Sequence, residues 1–203
     1  MTYVIFLLVF FIAFSCSKGD IIPHNNQVEK EIHFLSSKEA HKYGYKGFNR
    51  NKWAYPKEWL ESMDKATAAE PLLVHRIDRE KNYYYIVPFN VRNKTKLLVI
   101  IDAISGKFKE VSYLKELVSF PKISKAKAIN IMMKFLKERK IKIEILSPKL
   151  TLVWKPCEQT QSPYEPLWKV QIRSEVWFID QKGKIYDKIL KPKVKGGTIR
   201  KKH

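Results

Sequence analysis

The residues of this chain that could do chemistry stand apart from one another. Its five histidines, His24, His33, His41, His75 and His203, form no H-x-x-x-H or H-E-x-x-H pair, so no helix face offers a metal two imidazoles. His75 lies between Val74 and Arg76 in a short apolar run, which predicts a side chain on a sheet surface. Asp102 and Asp180 each open a short turn that reaches a glycine, Gly106 or Gly183. A carboxylate in that place accepts backbone N–H bonds. General acid–base chemistry needs two such groups in one cleft, and here each has its own turn. No serine sits in a nucleophile elbow, and no glycine-rich loop could cradle a phosphate. The two cysteines, Cys16 and Cys157, lack a second thiol or imidazole at ligand spacing. The expectation is a protein that is not an enzyme, with no catalytic, cofactor-binding or metal-binding residue.

One stretch has the composition of a binding surface. From Tyr43 to Tyr55 aromatic and basic residues interleave, with Tyr43, Tyr45, Arg50, Trp53 and Tyr55 the candidates. Rings and cations together can stack on sugars or bases and hold phosphates. The ordinary reading of the same stretch is an irregular loop whose aromatics cover the core.

The elements that must carry these groups begin with an apolar terminus. The first sixteen residues, MTYVIFLLVFFIAFSC, carry no charge. The run Tyr3 to Phe14 suits the core of an export signal and falls short of the ~20 apolar residues of a membrane-crossing helix. Its end, Ala13-Phe14-Ser15-Cys16, resembles the lipobox of bacterial lipoproteins. That resemblance implies a signal over residues 1–15, cleavage before Cys16, and a lipid anchor on the Cys16 thiol. It places the protein in the bacterial cell envelope, at the outer membrane or cell surface in a Gram-negative cell. A signal peptide independent of the cysteine and a short uncleaved anchor are the other readings of these residues. With lipid on Cys16, Cys157 is a lone thiol; in a chain exported without lipid and cut before Cys16, the two could form a disulfide. Ser17 to Asn26 holds Gly19, Pro23 and paired asparagines without a helical or strand period, as a tether does.

The formal net charge is +19, and hydrophobic residues make up 45% of the chain, a composition for a packed globule. From Pro121 to His203 there are 21 lysines and arginines against 7 acids. Such a field attracts polyanions, with anionic headgroups or acidic glycans nearest to an exported protein and nucleic acid the partner it fits least. A lysine-rich solvated surface gives the same count.

Beyond the tether, which we take as residues 16–50, one order of elements occurs twice. In residues 51–120, Pro56 opens a helix bearing Trp59, Leu60, Met63 and Ala66, and apolar strands follow at Leu72–Ile77, Tyr83–Val87, Leu97–Ile101 and Lys107–Val111. In residues 121–192, Ser124 caps a helix with the stripe Ala128, Ile131, Met132, Phe135 and Leu136. Strands follow at Ile141–Ile145, Leu150–Trp154, Trp168–Ile172, Val176–Ile179 and Lys184–Leu190, with a tight turn at Ser174-Glu175. Residues 193–203 are a basic tail. The fold class is α+β: two tandem helix-plus-antiparallel-sheet units.

The last hairpins of the two units, LLVIIDAISGKFKEV and EVWFIDQKGKIYDKI, both read strand, Asp, turn, Gly, Lys, strand. With Tyr84-Tyr85-Ile86-Val87-Pro88 before the first and Pro166-Leu167-Trp168-Lys169-Val170 before the second, the pattern resembles PepSY-type domains over residues 57–190. That resemblance implies a small non-catalytic module, known from protease propeptides and envelope proteins, that binds or restrains a partner. The expected partner is an envelope protein; the alternative is a polyanion held by the basic C-terminal half.

Overall fold

Five consecutive apolar residues, Leu97 to Ile101, cannot satisfy a strand with one wet face, because successive side chains point to opposite sides. All five are buried, and the molecule is built around covering that strand on both sides. The structure, a computed structural model, describes residues 32–141 and 148–192. Its helices are α1 (Ser37–Arg50), α2 (Lys57–Asp64) and α3 (Lys125–Glu138), with a 3₁₀ turn at Lys52–Ala54. Its strands are β1 (Thr67–Ala68), β2 (Leu72–Arg76), β3 (Tyr83–Val91), β4 (Lys94–Asp102), β5 (Phe108–Val118), β6 (Lys149–Trp154), β7 (Leu167–Ile172), β8 (Glu175–Ile179) and β9 (Ile185–Tyr186).

All nine strands join one sheet of order β5-β4-β3-β2-β6-β7-β8-β9, with β1 beside β3. Every pairing is antiparallel except the central β2·β6, which aligns Val74 with Leu152 and Arg76 with Trp154 in parallel. The chain is thus α+β, as expected. Two separate sheets were expected, yet the two meanders share one.

Register assigns the faces. On one, Val87, Phe89, Leu97, Val99 and Ile101 pack against Ala40 and Phe48 of α1 and Met63 of α2. On the other, Ile86, Ile100, Leu152, Trp168, Val170, Trp177 and Ile179 pack with Ala128, Met132 and Leu136 of α3. The helices before the two meanders therefore lie on opposite faces. A smaller cluster of Val153, Cys157 and Leu167 backs the second meander on the α1 side.

Three expectations need correction. Residues 16–50 were read as a tether, but Ser37–Arg50 is helical and packed on the sheet. A capping box starts it: Ser36 Oγ accepts from Glu39 N–H, and Glu39 Oε2 accepts from Ser36 N–H at 2.8 Å. The ordinary reading of Tyr43 to Tyr55 was an irregular loop, yet as far as Arg50 it is helix, with Gly44 and Gly47 on the buried side of α1. A Cβ at Gly47 would stand 2.5 Å from the Phe108 ring, so this glycine sets the helix-to-sheet distance. The tight turn of the second meander is Arg173-Ser174, since Glu175 already pairs in β8. Ser124 does cap α3, accepting from Lys127 N–H. Residues 1–31, with Cys16 and the tether as far as residue 31, the strand expected at Ile141–Ile145 apart from Ile141, and the tail at 193–203 fall outside the described residues.

Gly47→Ala is expected to lose about 1–3 kcal/mol in chemical unfolding through overpacking against Phe108. Gly44→Ala, whose Cβ would meet Val87 at an ordinary 3.6 Å, is expected to be neutral or to gain up to about 1 kcal/mol from helix propensity.

Candidate binding cleft

Two segments that depart from regular structure build the most developed concave site. On β5 the register slips: Tyr113 opposes Leu97, but the next partner of β4, Thr95, opposes Val118. Residues 114–117 therefore arch away from the sheet, the kind of local bulge that re-aims side chains. Lys96 Nζ holds the arch by donating to Lys115 C=O at 2.8 Å. The second segment is the β6–β7 connection. Tyr84 OH ties it to the sheet by donating to Pro163 C=O at 2.9 Å. Thr160 Oγ1 donates to Ser162 C=O, and buried Cys157 Sγ donates to Thr160 C=O.

Between these walls lies a cleft of about 500 Å³. Its floor is apolar, with Leu98, Leu114, Val118 and Phe120, and Tyr164 forms the far wall. Lys115, Glu116 and the Lys122–Glu165 ion pair (3.4 Å) stand at the rim. Gln181 braces the base. Its Nε2 donates to Pro166 C=O at 2.8 Å, and its Oε1 accepts from Ile123 N–H at 3.2 Å. Trp168 Nε1 donates to Ile123 C=O at 2.7 Å, so the segment before α3 is pinned from two sides.

One step along the same sheet face, a recess of about 110 Å³ adjoins the cleft, lined by Arg76, Asn82, Tyr84, Glu110, Trp154 and Pro163. The two share consecutive positions, Leu98 then Ile100, Ser112 then Glu110, and Tyr164 then Pro163. Among the described residues, three buried side-chain polar atoms lack a hydrogen-bond partner: Asn82 Oδ1, Trp154 Nε1 and Tyr164 OH. All three residues line this cleft and recess. Each such atom costs about 1–3 kcal/mol while unsatisfied, so their gathering in one concavity is the mark of a site. Burial pushes the Tyr84 and Tyr164 phenols well above their ordinary range, so both stay neutral hydroxyls at any physiological pH. The recess is thus lined by two residues that each carry a buried, unpartnered polar atom, an indole donor on Trp154 and an amide acceptor on Asn82.

The sequence-predicted surface is only partly brought together. Tyr43 and Arg50 share a groove with Lys46 and Lys107 on the opposite face of the sheet. Tyr45 and Trp53 stand exposed. Tyr55 is not part of that surface: it stacks between Phe48 (4.8 Å) and Trp59 (5.5 Å), and Trp59 stacks in turn on Tyr113 (5.3 Å). The turn carboxylates do what their positions predict. Asp102 Oδ1 accepts from Ile104 and Ser105 N–H, and Asp180 Oδ1 from Lys182 and Lys184 N–H. Gly106 (φ 70°) and Gly183 (φ 87°) supply the left-handed residue in each turn. His75 stacks on Tyr83 at 4.4 Å, and burial, then Lys169, holds its pKa below the ordinary value. No group of three His, Cys, Asp or Glu side chains able to hold a metal occurs among the described residues.

The cleft itself was missed by sequence reasoning. Its residues come from β4, β5, the segment before α3, the β6–β7 connection and the turn after β8. No local signal marks it; the unread signal the sequence did hold, the capping box at Ser36-Ser-Lys-Glu39, reveals α1 on the other face of the sheet. No family model, curated protein or solved structure matches the chain.

Tyr164→Phe is expected to leave thermal stability unchanged or slightly raised, because the hydroxyl it removes has no partner. Gln181→Leu is expected to cost at least about 2 kcal/mol by orphaning Ile123 N–H and Pro166 C=O. Urea unfolding of the two variants beside the parent measures both.

Proposed function

We propose that this chain is a non-catalytic bacterial envelope lipoprotein, anchored through Cys16, whose cleft holds a segment of a periplasmic or cell-surface protein. The observation that carries the reading is an apolar-floored cleft whose adjoining recess is lined by Asn82 and Trp154, each with a buried, unpartnered polar atom. A backbone amide has the complementary pair, N–H for the asparagine oxygen and C=O for the indole, and would meet those atoms once the recess opens to admit it. An apolar side chain beside that amide would lie on Leu98, Leu114 and Phe120. The outer edge of β5, the last strand in the sheet, runs along the same cleft and offers backbone groups to an extended segment.

We read the two meanders as a duplication of a PepSY-like unit. In support, each meander follows a helix, and each ends in a hairpin with the same Asp-to-Gly turn, closed by Asp102 N–H to Lys107 C=O (2.8 Å) or Asp180 N–H to Lys184 C=O (3.0 Å). A two-fold axis lying in the sheet between β2 and β6 would exchange them. It accounts for the parallel pairing and for α2 and α3 lying on opposite faces.

A photo-crosslinking residue at Ser112, inside the cleft, is expected to give a discrete protein adduct in cells. The same residue at Lys134, on the exposed side of α3, is expected to give none. Equal adducts at both positions, or none at either, would remove the cleft reading. The intact mass of the membrane-extracted protein is expected to match residues 16–203 plus diacylglycerol and acyl chains, and Cys16→Ala is expected to lose that mass. A cleaved chain two hydrogens lighter than its sequence would instead mean a secreted protein with a Cys16–Cys157 disulfide.

A further inference from the structure

The corner where α1 passes into α2 is unlike the rest of the surface. Trp53, on the 3₁₀ turn Lys52–Ala54, is 84% exposed, and Tyr45 on α1 is 46% exposed. Among the described residues Trp53 pairs with no other ring, whereas its neighbour Tyr55 is held in the stack on Phe48 and Trp59. An indole left this open gives up the burial that large aromatics otherwise provide. Its surroundings are mainly cationic. Lys42, Lys46, Arg50, Lys52 and Lys57 fall in the span from Ala40 to Lys57, with Glu39 just before it and Glu58 just after, and Lys57 pairs with Glu61 at 3.6 Å. Lys107 joins them from the turn between β4 and β5, lining with Tyr43, Lys46 and Arg50 a groove of about 410 Å³. That groove runs to Asn51, two residues before Trp53. Among the described residues, Lys46, Arg50 and Lys107 form no ion pair with a carboxylate. Of the acids that flank the stretch, Glu39 is taken up in the capping box of α1, and Glu58 and Glu61 border a different groove with Lys65 and Lys96.

We propose that this corner is a membrane-docking surface, with Trp53 entering the headgroup layer of an anionic bilayer while Lys46, Arg50 and Lys107 hold its phosphates. Amphipathic rings and cations are the pair of features that suits the interface between headgroup and acyl chain. An amphipathic ring this open beside unpaired cations favours a bilayer, which takes the ring between headgroup and acyl chain and the cations at its phosphates. The proposal goes beyond the cleft, which opens on the other face of the sheet. It rests on the reading of Cys16 only for bringing the chain to a bilayer.

The test uses the full chain and the tryptophan fluorescence itself. Trp154, Trp168 and Trp177 are buried and Trp59 is stacked, so aqueous iodide reaches Trp53 above the others. Vesicles of phosphatidylethanolamine containing phosphatidylglycerol are compared with vesicles of phosphatidylcholine. On the anionic vesicles, iodide quenching is expected to fall several-fold and quenching by bromine-labelled lipid to appear. Both changes should vanish in Trp53→Ala, weaken in Lys46→Glu with Arg50→Glu, and reverse with salt. An anchored chain whose Trp53 stays as open to iodide on anionic vesicles as in buffer would overturn the proposal. So would protection of Trp53 by an acidic polysaccharide but not by vesicles. A chain that fails to anchor ends the lipoprotein reading alone, because excess anionic vesicles still either shield Trp53, supporting docking, or leave it open, overturning it.

Discussion

The architecture depends on one short ladder, the parallel pairing of β2 with β6. It spans Val74 to Arg76 against Leu152 to Trp154, extended by the bond from Ile77 N–H to Trp154 C=O at 3.0 Å. Two antiparallel meanders could have folded as separate sheets, each with its own helix and its own wet face. Joined through their first strands in parallel, they become one surface on which the second meander is turned over relative to the first. The helices must then lie on opposite faces, and β3 and β4 become interior strands with apolar side chains on both sides. Parallel pairs are normally buried for the same reason: both faces need cover. Here Arg76 takes part in that cover, with its guanidinium 5.0 Å over the Trp154 ring and bonded to Asp78 at 2.9 Å.

The cleft follows from the same ladder. On its face of the sheet α3 packs most closely over β7, and the far end of that face at β4 and β5 is left to irregular chain. The β5 arch and the β6–β7 connection close toward each other without meeting, and the tie from Tyr84 to Pro163 fixes the gap between them. The unpartnered atoms lie where these segments leave room. Asn82 ends the β2–β3 turn, Trp154 ends β6, and Tyr164 precedes β7. Each is at an element boundary, where backbone regularity stops supplying partners.

What the sequence made legible follows the range over which each signal acts. Local periodicity located α2, α3 and most strands to within a few residues, because amphipathic stripes such as Ala128, Met132 and Leu136 report burial directly. The Asp-to-Gly turns were legible because their chemistry is complete within five residues. Residues 37–50 were read as tether and loop, and their glycines could not have corrected that, because glycine has two uses that look alike in one dimension. It permits turns, and it permits a helix to approach a sheet; only the third dimension, in the form of Phe108 against Gly47, says which. The joining of two meanders into one sheet carries no local signature at all. Neither does a cleft assembled from five segments.

Tyr55 and Trp53 show how the same composition divides between core and surface. Both stand in the basic aromatic stretch, two residues apart. Tyr55 enters the column Phe48, Tyr55, Trp59, Tyr113, capped by Lys96 Nζ at 4.3 Å from the last ring, and so clasps α1, α2 and β5 together. With Tyr55 spent on that column, the 3₁₀ turn presents Trp53 outward. The corner it forms belongs to the α1 face, while the cleft belongs to the α3 face. The sheet between them is fully packed, with Leu97, Val99 and Ile101 committed to one side and Leu98 and Ile100 to the other. A bilayer at the corner and a protein segment in the cleft therefore do not compete for the same surface, so a docked domain can keep its cleft available to a partner.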